Sequence, residues 1–117
     1  MILDLQRCVP RLVSCPHNVA RFSKALVERI EMTAHGPPII QHFGLGNKAG
    51  LTLVQLISTS NITGHFCDES GDAYLDIFSC RHFHQLDCEY VVREFFRPSS
   101  MTARMIVRGP KVSGELS

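Results

Sequence analysis

The stretch that decides the fold is residues 51–80, L-T-L-V-Q-L-I-S-T-S-N-I-T-G-H-F-C-D-E-S-G-D-A-Y-L-D-I-F-S-C. It reads as three strands in succession. L-T-L-V-Q-L-I-S (51–58) is the first, and S-N-I-T-G-H-F (60–66) follows with almost no room for a connection. The acidic, glycine-bearing C-D-E-S-G-D (67–72) suits a hairpin loop. A-Y-L-D-I-F-S (73–79) then alternates, with Tyr74 and Asp76 on one face and Leu75 and Ile77 on the other. Within this run stand a serine at 60, a histidine five residues on at 65, and a cysteine fifteen beyond that at 80.

Working outward, residues 2–6 (I-L-D-L-Q) alternate as a short strand. A helix is expected from Ser14 as N-cap, with Pro16 tolerated in its first turn because the missing N–H would have no partner there. Val19, Phe22, Leu26 and Ile30 give it one apolar stripe, and Gly36-Pro37-Pro38 is expected to end it. Residues 38–43 form a strand and G-L-G-N-K-A-G (44–50) a turn; a second helix covers 85–96, stopped before Pro98. A last strand over 101–107 precedes a Gly/Pro/Ser tail expected to fray. The fold class is therefore α+β, a mostly antiparallel sheet with two helices on one face. Two helices of ~12–16 residues cover only one side of such a sheet. A second copy on the bare side predicts a homodimer, an αββα sandwich.

At 117 residues the chain supports one domain, spanning 1–117. Its 44% hydrophobic and 20% charged fractions are those of an ordinary soluble domain. Twelve basic residues against eleven acidic give a net charge of +1, without the basic surplus that an obligatory nucleic-acid partner would require. No apolar run approaches the ~20 residues needed to cross a membrane. The start, M-I-L-D-L-Q-R-C, has no basic region ahead of an apolar stretch, which predicts a cytoplasmic protein. Five cysteines (8, 15, 67, 80, 88) with no C-x-x-C pair are expected as free thiols.

Among the chemical constellations, Cys80, His82, His84 and Cys88 offer soft donors, but their spacing matches no closed zinc site, and no metal is expected. The glycines and Lys48 of residues 44–50 could face an anion; the segment joins two strands rather than opening a helix, so a hairpin loop is preferred. Cys67 or Cys80 could pair with His65 as a nucleophile and base, with no obvious third group to orient them.

Residues 60–80, carrying Ser60, His65, Glu69, the D-I-F triplet at 76–78 and Cys80, resemble without a gap the self-processing segment of the short prokaryotic type of S-adenosylmethionine decarboxylase. Thr52 lies in the preceding strand where that family has a serine or similar residue. The resemblance implies a pyruvoyl-dependent decarboxylase that makes its own cofactor. The Ser60 hydroxyl would attack the Thr59 carbonyl, and His65 would remove the Ser60 α-hydrogen. Thr52 would hydrogen-bond the developing oxyanion. Cleavage would leave a β chain of 1–59 and an α chain, 60–117, opened by a pyruvoyl group derived from Ser60. That group would form a Schiff base with the substrate amine, and Cys80 would return a proton to carbon. The implied product supplies aminopropyl groups for polyamine (spermidine) synthesis.

Thr59 and Asn61 stand where the family usually has Glu and His, and Phe66-Cys67-Asp68 replaces Thr-Trp-Pro in a chain without tryptophan. Phe43 and Phe66 are the aromatic candidates to hold an adenine and sulfonium, and the retained Glu69 the candidate for ribose hydroxyls. Two alternatives stay open. The scaffold could act on arginine or ornithine, with Asp68 or Asp72 pairing the distal cation, or the chain could be a non-catalytic paralogue that binds a partner.

Overall fold

The computed structural model describes residues 1–109; residues 110–117 of the expected C-terminal tail lie outside them. Six strands form one antiparallel sheet in the order β2-β3-β4-β5-β1-β6. They are β1 (Ile2–Gln6), β2 (Ile39–Phe43), β3 (Gly50–Ile57), β4 (Ser60–Cys67), β5 (Ala73–Ser79) and β6 (Ser100–Arg104). Helices α2 (Pro16–Arg29) and α3 (Gln85–Phe96) pack on each other and on one face of that sheet, after a single helical turn, α1 (Pro10–Val13). The α+β architecture is thus the one the alternation predicts.

Parity along the strands divides the sheet cleanly. Leu3, Leu5, Leu51, Leu53, Ile57, Ile62, Phe66, Leu75 and Ile77 are buried beneath the helices with Phe22, Leu26, Val92 and Phe96. Each such side chain contributes about 1.5–3 kcal/mol when fully withdrawn from water. The opposite face carries Thr52, Val54, Leu56, Asn61, Thr63, His65, Tyr74, Asp76 and Phe78, none of them buried. Among the described residues no helix covers it.

Several boundaries differ from expectation for local reasons. Cys15, not Ser14, caps α2: its sulfur accepts the Asn18 N–H at 3.4 Å, while Ser14 turns back onto the Pro10 carbonyl at the end of α1. Helix α2 stops at Arg29, well before Gly36. Glu31 adopts a left-handed φ of 57°, and the Met32 and Glu31 N–H groups bond back to the Val27 and Glu28 carbonyls. Strand β6 ends at Arg104 rather than 107. The loop at residues 44–50 is a hairpin connection holding one 3-10 turn, Gly46–Lys48.

Candidate active site

The three strands β3, β4 and β5 place the candidate residues, and their register shows how. Eight consecutive pairs run from Gly50 opposite Cys67 to Ile57 opposite Ser60. A Cβ on Gly50 would sit 1.6 Å from the Phe66 carbonyl oxygen, so the close approach that starts this register admits only glycine. The register sets Thr52 directly across from His65. The Thr52 hydroxyl and His65 Nδ1 lie 2.7 Å apart, and His65 Nε2 is 2.8 Å from the Lys48 carbonyl oxygen. A carbonyl only accepts, so Nε2 carries the hydrogen, and in the neutral ring Nδ1 receives the Thr52 hydroxyl. The half-exposed Phe43 ring lies 6.1 Å from the imidazole, between centroids. Glu69 is exposed on the turn just beyond Cys67. One end of the hairpin therefore gathers Phe43, Thr52, His65 and Glu69.

The other end gathers the remaining candidates. Ser58 and Thr59 make a two-residue turn between β3 and β4. Neither has the positive φ that hairpins of this length usually adopt, and outside contacts hold the turn instead. The Ser58 N–H donates to the Thr33 carbonyl at 2.9 Å. The Ser79 hydroxyl donates to Thr59 Oγ1 at 2.8 Å, and the Thr59 hydroxyl faces the Met32 sulfur at 3.4 Å. The Cys80 backbone N–H donates to the Thr59 carbonyl oxygen at 3.2 Å. Ser60 opens β4 opposite Ser79, and its hydroxyl, unlike those of Thr59 and Ser79, has no hydrogen-bond partner among the described residues. Cys80 is exposed and lines a cavity of about 550 Å³ with Phe78, His82 and Arg108.

Within one chain these two ends do not meet. Five residues separate Ser60 from His65, about 16 Å along a strand, and odd spacing puts their side chains on opposite faces. The Phe43 end of β3 lies about 23 Å from the turn. Thr52 is accordingly the hydroxyl beside His65, not one near the Thr59 carbonyl of its own chain.

Other candidates are corrected by burial. Phe66 is fully buried, its ring 5.0 Å from Phe96, and offers no open aromatic face; of the two aromatic candidates only Phe43 does. Cys67 is buried as well, and desolvation, with the nearby Asp72 charge, pushes its thiol pKa up, opposite to what a nucleophile paired with His65 needs. His82 and His84 stack edge-to-face at 5.0 Å, while Cys88 is buried under α3. Among the described residues no group of three or more His, Cys, Asp or Glu side chains is arranged to hold a metal ion. Asp68 pairs with His42 at 2.6 Å, and Asp72 accepts the Arg7 N–H at 3.0 Å. Sequence reasoning missed Ser79, Arg81 and Met32 as neighbours of the turn. Their only signal was the parity that sets Ser79 across from Ser60.

The comparisons with known proteins give one family and one fold. A family model described as S-adenosylmethionine decarboxylase matches residues 1–109. Among solved structures the chain is similar to the adenosylmethionine decarboxylase from Aquifex aeolicus VF5, with a TM-score of 0.77 at 18% identity, over 99% of this chain and 93% of that one. At that identity the likeness speaks for the fold. A comparison with curated proteins finds no match.

Proposed function

The chain belongs to the S-adenosylmethionine decarboxylase family, and from that premise we propose that it cleaves itself between Thr59 and Ser60 and then decarboxylates S-adenosylmethionine as a homodimer. The observation that carries this reading is the state of one peptide bond. Its carbonyl oxygen already accepts the Cys80 N–H at 3.2 Å, and the Ser60 hydroxyl next to it has no partner among the described residues. Attack by that hydroxyl on the Thr59 carbonyl carbon moves negative charge onto an oxygen with a donor in place. Collapse breaks the C–N bond, the hydroxyl proton ends on the Ser60 nitrogen, and an ester joins the two segments. Removal of the Ser60 α-hydrogen then expels the Thr59 carboxylate and leaves chains 1–59 and 60–117, the second opening on dehydroalanine, whose imine tautomer water hydrolyses to the pyruvoyl ketone with release of ammonia.

The residues around Ser60 fit the pyruvoyl group that follows. It would begin β4 across from Ser79, and Ser79 and Cys80 line a neighbouring cavity whose size suits a small-molecule substrate. Such a ketone supplies the electron sink for loss of carbon dioxide from an amino acid. Cys80 holds the proton that returns to carbon. Its exposure leaves the thiol accessible, in contrast to Cys8 and Cys88, which burial pushes up to about 12.

The base for the α-hydrogen is the partner's His65. The in-chain imidazole is about 16 Å away along the strand, whereas two sheets packed face to face with opposed strand directions set the His65 end of each over the Ser60 end of the other. Such a two-fold contact completes two identical sites at once. The uncovered face supports the pairing, since Ile39, Phe43, Leu56, Tyr74 and Phe78 stand exposed there. It also brings Phe43 and Glu69 to the substrate. Asp68 Oδ2 pairs with His42 and Asp72 Oδ1 accepts the Arg7 N–H, while the buried Asp68 Oδ1 has no partner among the described residues, so the comparison of substrates is left to the assay below. The product would serve spermidine synthesis in the cytoplasm. Among the described residues no helix is long and apolar enough to cross a membrane.

Denaturing mass spectrometry tests the reading. Two fragments that together account for the 13.1 kDa chain support it, and a persistently intact chain would assign the protein to the non-catalytic alternative. Carbon dioxide release from S-adenosylmethionine should exceed that from arginine or ornithine.

A further inference from the structure

Around the Thr59–Ser60 bond the hydroxyls form a chain. The Arg81 backbone N–H donates to Ser79 Oγ at 3.0 Å, Ser79 donates to Thr59 Oγ1 at 2.8 Å, and Thr59 points its own hydrogen at the Met32 sulfur at 3.4 Å. Ser79 Oγ also lies 3.8 Å from the same sulfur, so both hydroxyls converge on one weak acceptor while the 2.8 Å contact ties them to each other. The next residue along, Cys80, holds the Thr59 carbonyl oxygen from its backbone. The loop that delivers both contacts is itself tied down, because the Arg81 guanidinium donates to the Glu31 carbonyl at 2.9 Å. That carbonyl belongs to the left-handed residue ending α2, so the exit of the helix, the tip of one hairpin and the end of β5 are joined at this point.

We propose that Ser79 is a positioning residue for self-cleavage: together with the loop anchored by Arg81, it clamps Thr59 so that its carbonyl carbon faces the Ser60 hydroxyl. The inference rests on the reading of Thr59–Ser60 as the bond that is cut, and it goes further by assigning the acyl half of that bond its own holder. A serine nucleophile that directly follows a two-residue turn can reach the preceding carbonyl only if that carbonyl does not rotate with the turn. Holding it by an N–H on the oxygen and by a hydroxyl on the side chain removes that rotation before the reaction begins. Ser79 itself touches no reacting atom. It acts through the rotamer of Thr59, and the Cys80 N–H then finds the oxygen where charge develops.

The role belongs to the first step, the N-to-O acyl shift, and not to the later elimination. Hydroxylamine separates the two, since it cleaves an ester that has formed but cannot cleave the unshifted amide at a comparable rate. The test follows full-length chains by denaturing mass spectrometry over time, with and without hydroxylamine, alongside thermal unfolding. Ser79→Ala should slow cleavage about tenfold, the loss of one well-placed hydrogen bond. Hydroxylamine should not restore the rate, and the unfolding midpoint should stay near that of the native chain. Ser79→Thr, which keeps the hydroxyl, should recover most of it. Arg81→Ala, which keeps its N–H but frees the loop, should fall between the two. His65→Ala serves as the contrast, stalling after the ester and yielding fragments with hydroxylamine. Native-rate cleavage of Ser79→Ala, or its rapid cleavage once hydroxylamine is added, overturns the assignment while the self-cleavage reading stands. A native chain that never cleaves overturns both.

Discussion

The two ends of the β3–β4 hairpin contrast in every property that matters for chemistry. At the turn, Thr59 is held through its side chain by Ser79 and through its carbonyl by Cys80, and the Ser60 hydroxyl has no partner among the described residues. At the open end, the imidazole is the held group, one ring nitrogen against Thr52 and the other against the Lys48 carbonyl, and the surrounding Phe43 and Glu69 are left exposed. On the proposed reading, one end presents an electrophile with its nucleophile and the other a base with a binding surface, about 16 Å apart along one strand. That reading teaches that a single chain can carry every part of a site without containing the site.

The strongest way to break this division is to separate the halves genetically. Ser60→Ala should abolish cleavage outright, and His65→Ala should slow it by about 10²–10⁴-fold, the usual worth of a general base. Co-expressed, the two should restore cleavage of the His65→Ala chain, because a Ser60→Ala partner still supplies an imidazole. Mass spectrometry identifies which chain is cut, and no recovery in the mixture would return the base to the same chain. Next in size, Cys80→Ala should cleave nearly normally, since alanine keeps the backbone N–H on the Thr59 oxygen. Its carbon dioxide release should fall about 10²-fold or more for want of a proton donor. Thr52→Val, acting at the other end, should slow cleavage by about tenfold through loss of its hydrogen bond to the imidazole, again measured as fragment yield against time.

A further effect concerns stability at high pH, outside the range in which the site would work, and involves neither end. Burial pushes the Cys8 and Cys88 thiols up to about 12, above the 9.0 expected in the unfolded chain. Between those values the folded chain keeps protons that the unfolded chain releases, so stability is complete below about pH 9 and declines as pH rises toward 12. The thermal midpoint should therefore fall over that interval. A thiol reagent at neutral pH should label Cys80 and leave Cys8 and Cys88 protected.

Much of the scaffold was legible because alternation is a direct readout of which face is buried. The β5 pattern Tyr74-Leu75-Asp76-Ile77 gave its two faces correctly. The same rule held information that motif reading passed over. Phe66 is adjacent to His65, so both cannot share a face, and the odd spacing of Ser60 and His65 already sets them on opposite sides. The Thr52–His65 contact followed from pairing two strands through a short turn, but its register depends on the close approach at Gly50, which is a backbone contact that no spacing reveals. The end of α2 was misplaced because glutamate in a left-handed C-terminal position carries no sequence signal, and Cys15 is an unusual cap. The Arg81–Ser79–Thr59 chain was invisible for a different reason: it joins three segments, residues 31–32, 58–59 and 79–81, whose meeting is a property of the whole fold.

The two-residue turn at Ser58 and Thr59 has one further consequence. Eight residue pairs continue to join β3 to β4 whether or not the turn is intact. Cut there as proposed, the molecule would be a complex of two polypeptides, and melting it would set them loose from one another. The uncut chain would refold as a single body at any dilution, whereas the nicked form would have to find its other half, so its reassembly would depend on concentration and fail when the solution is thin.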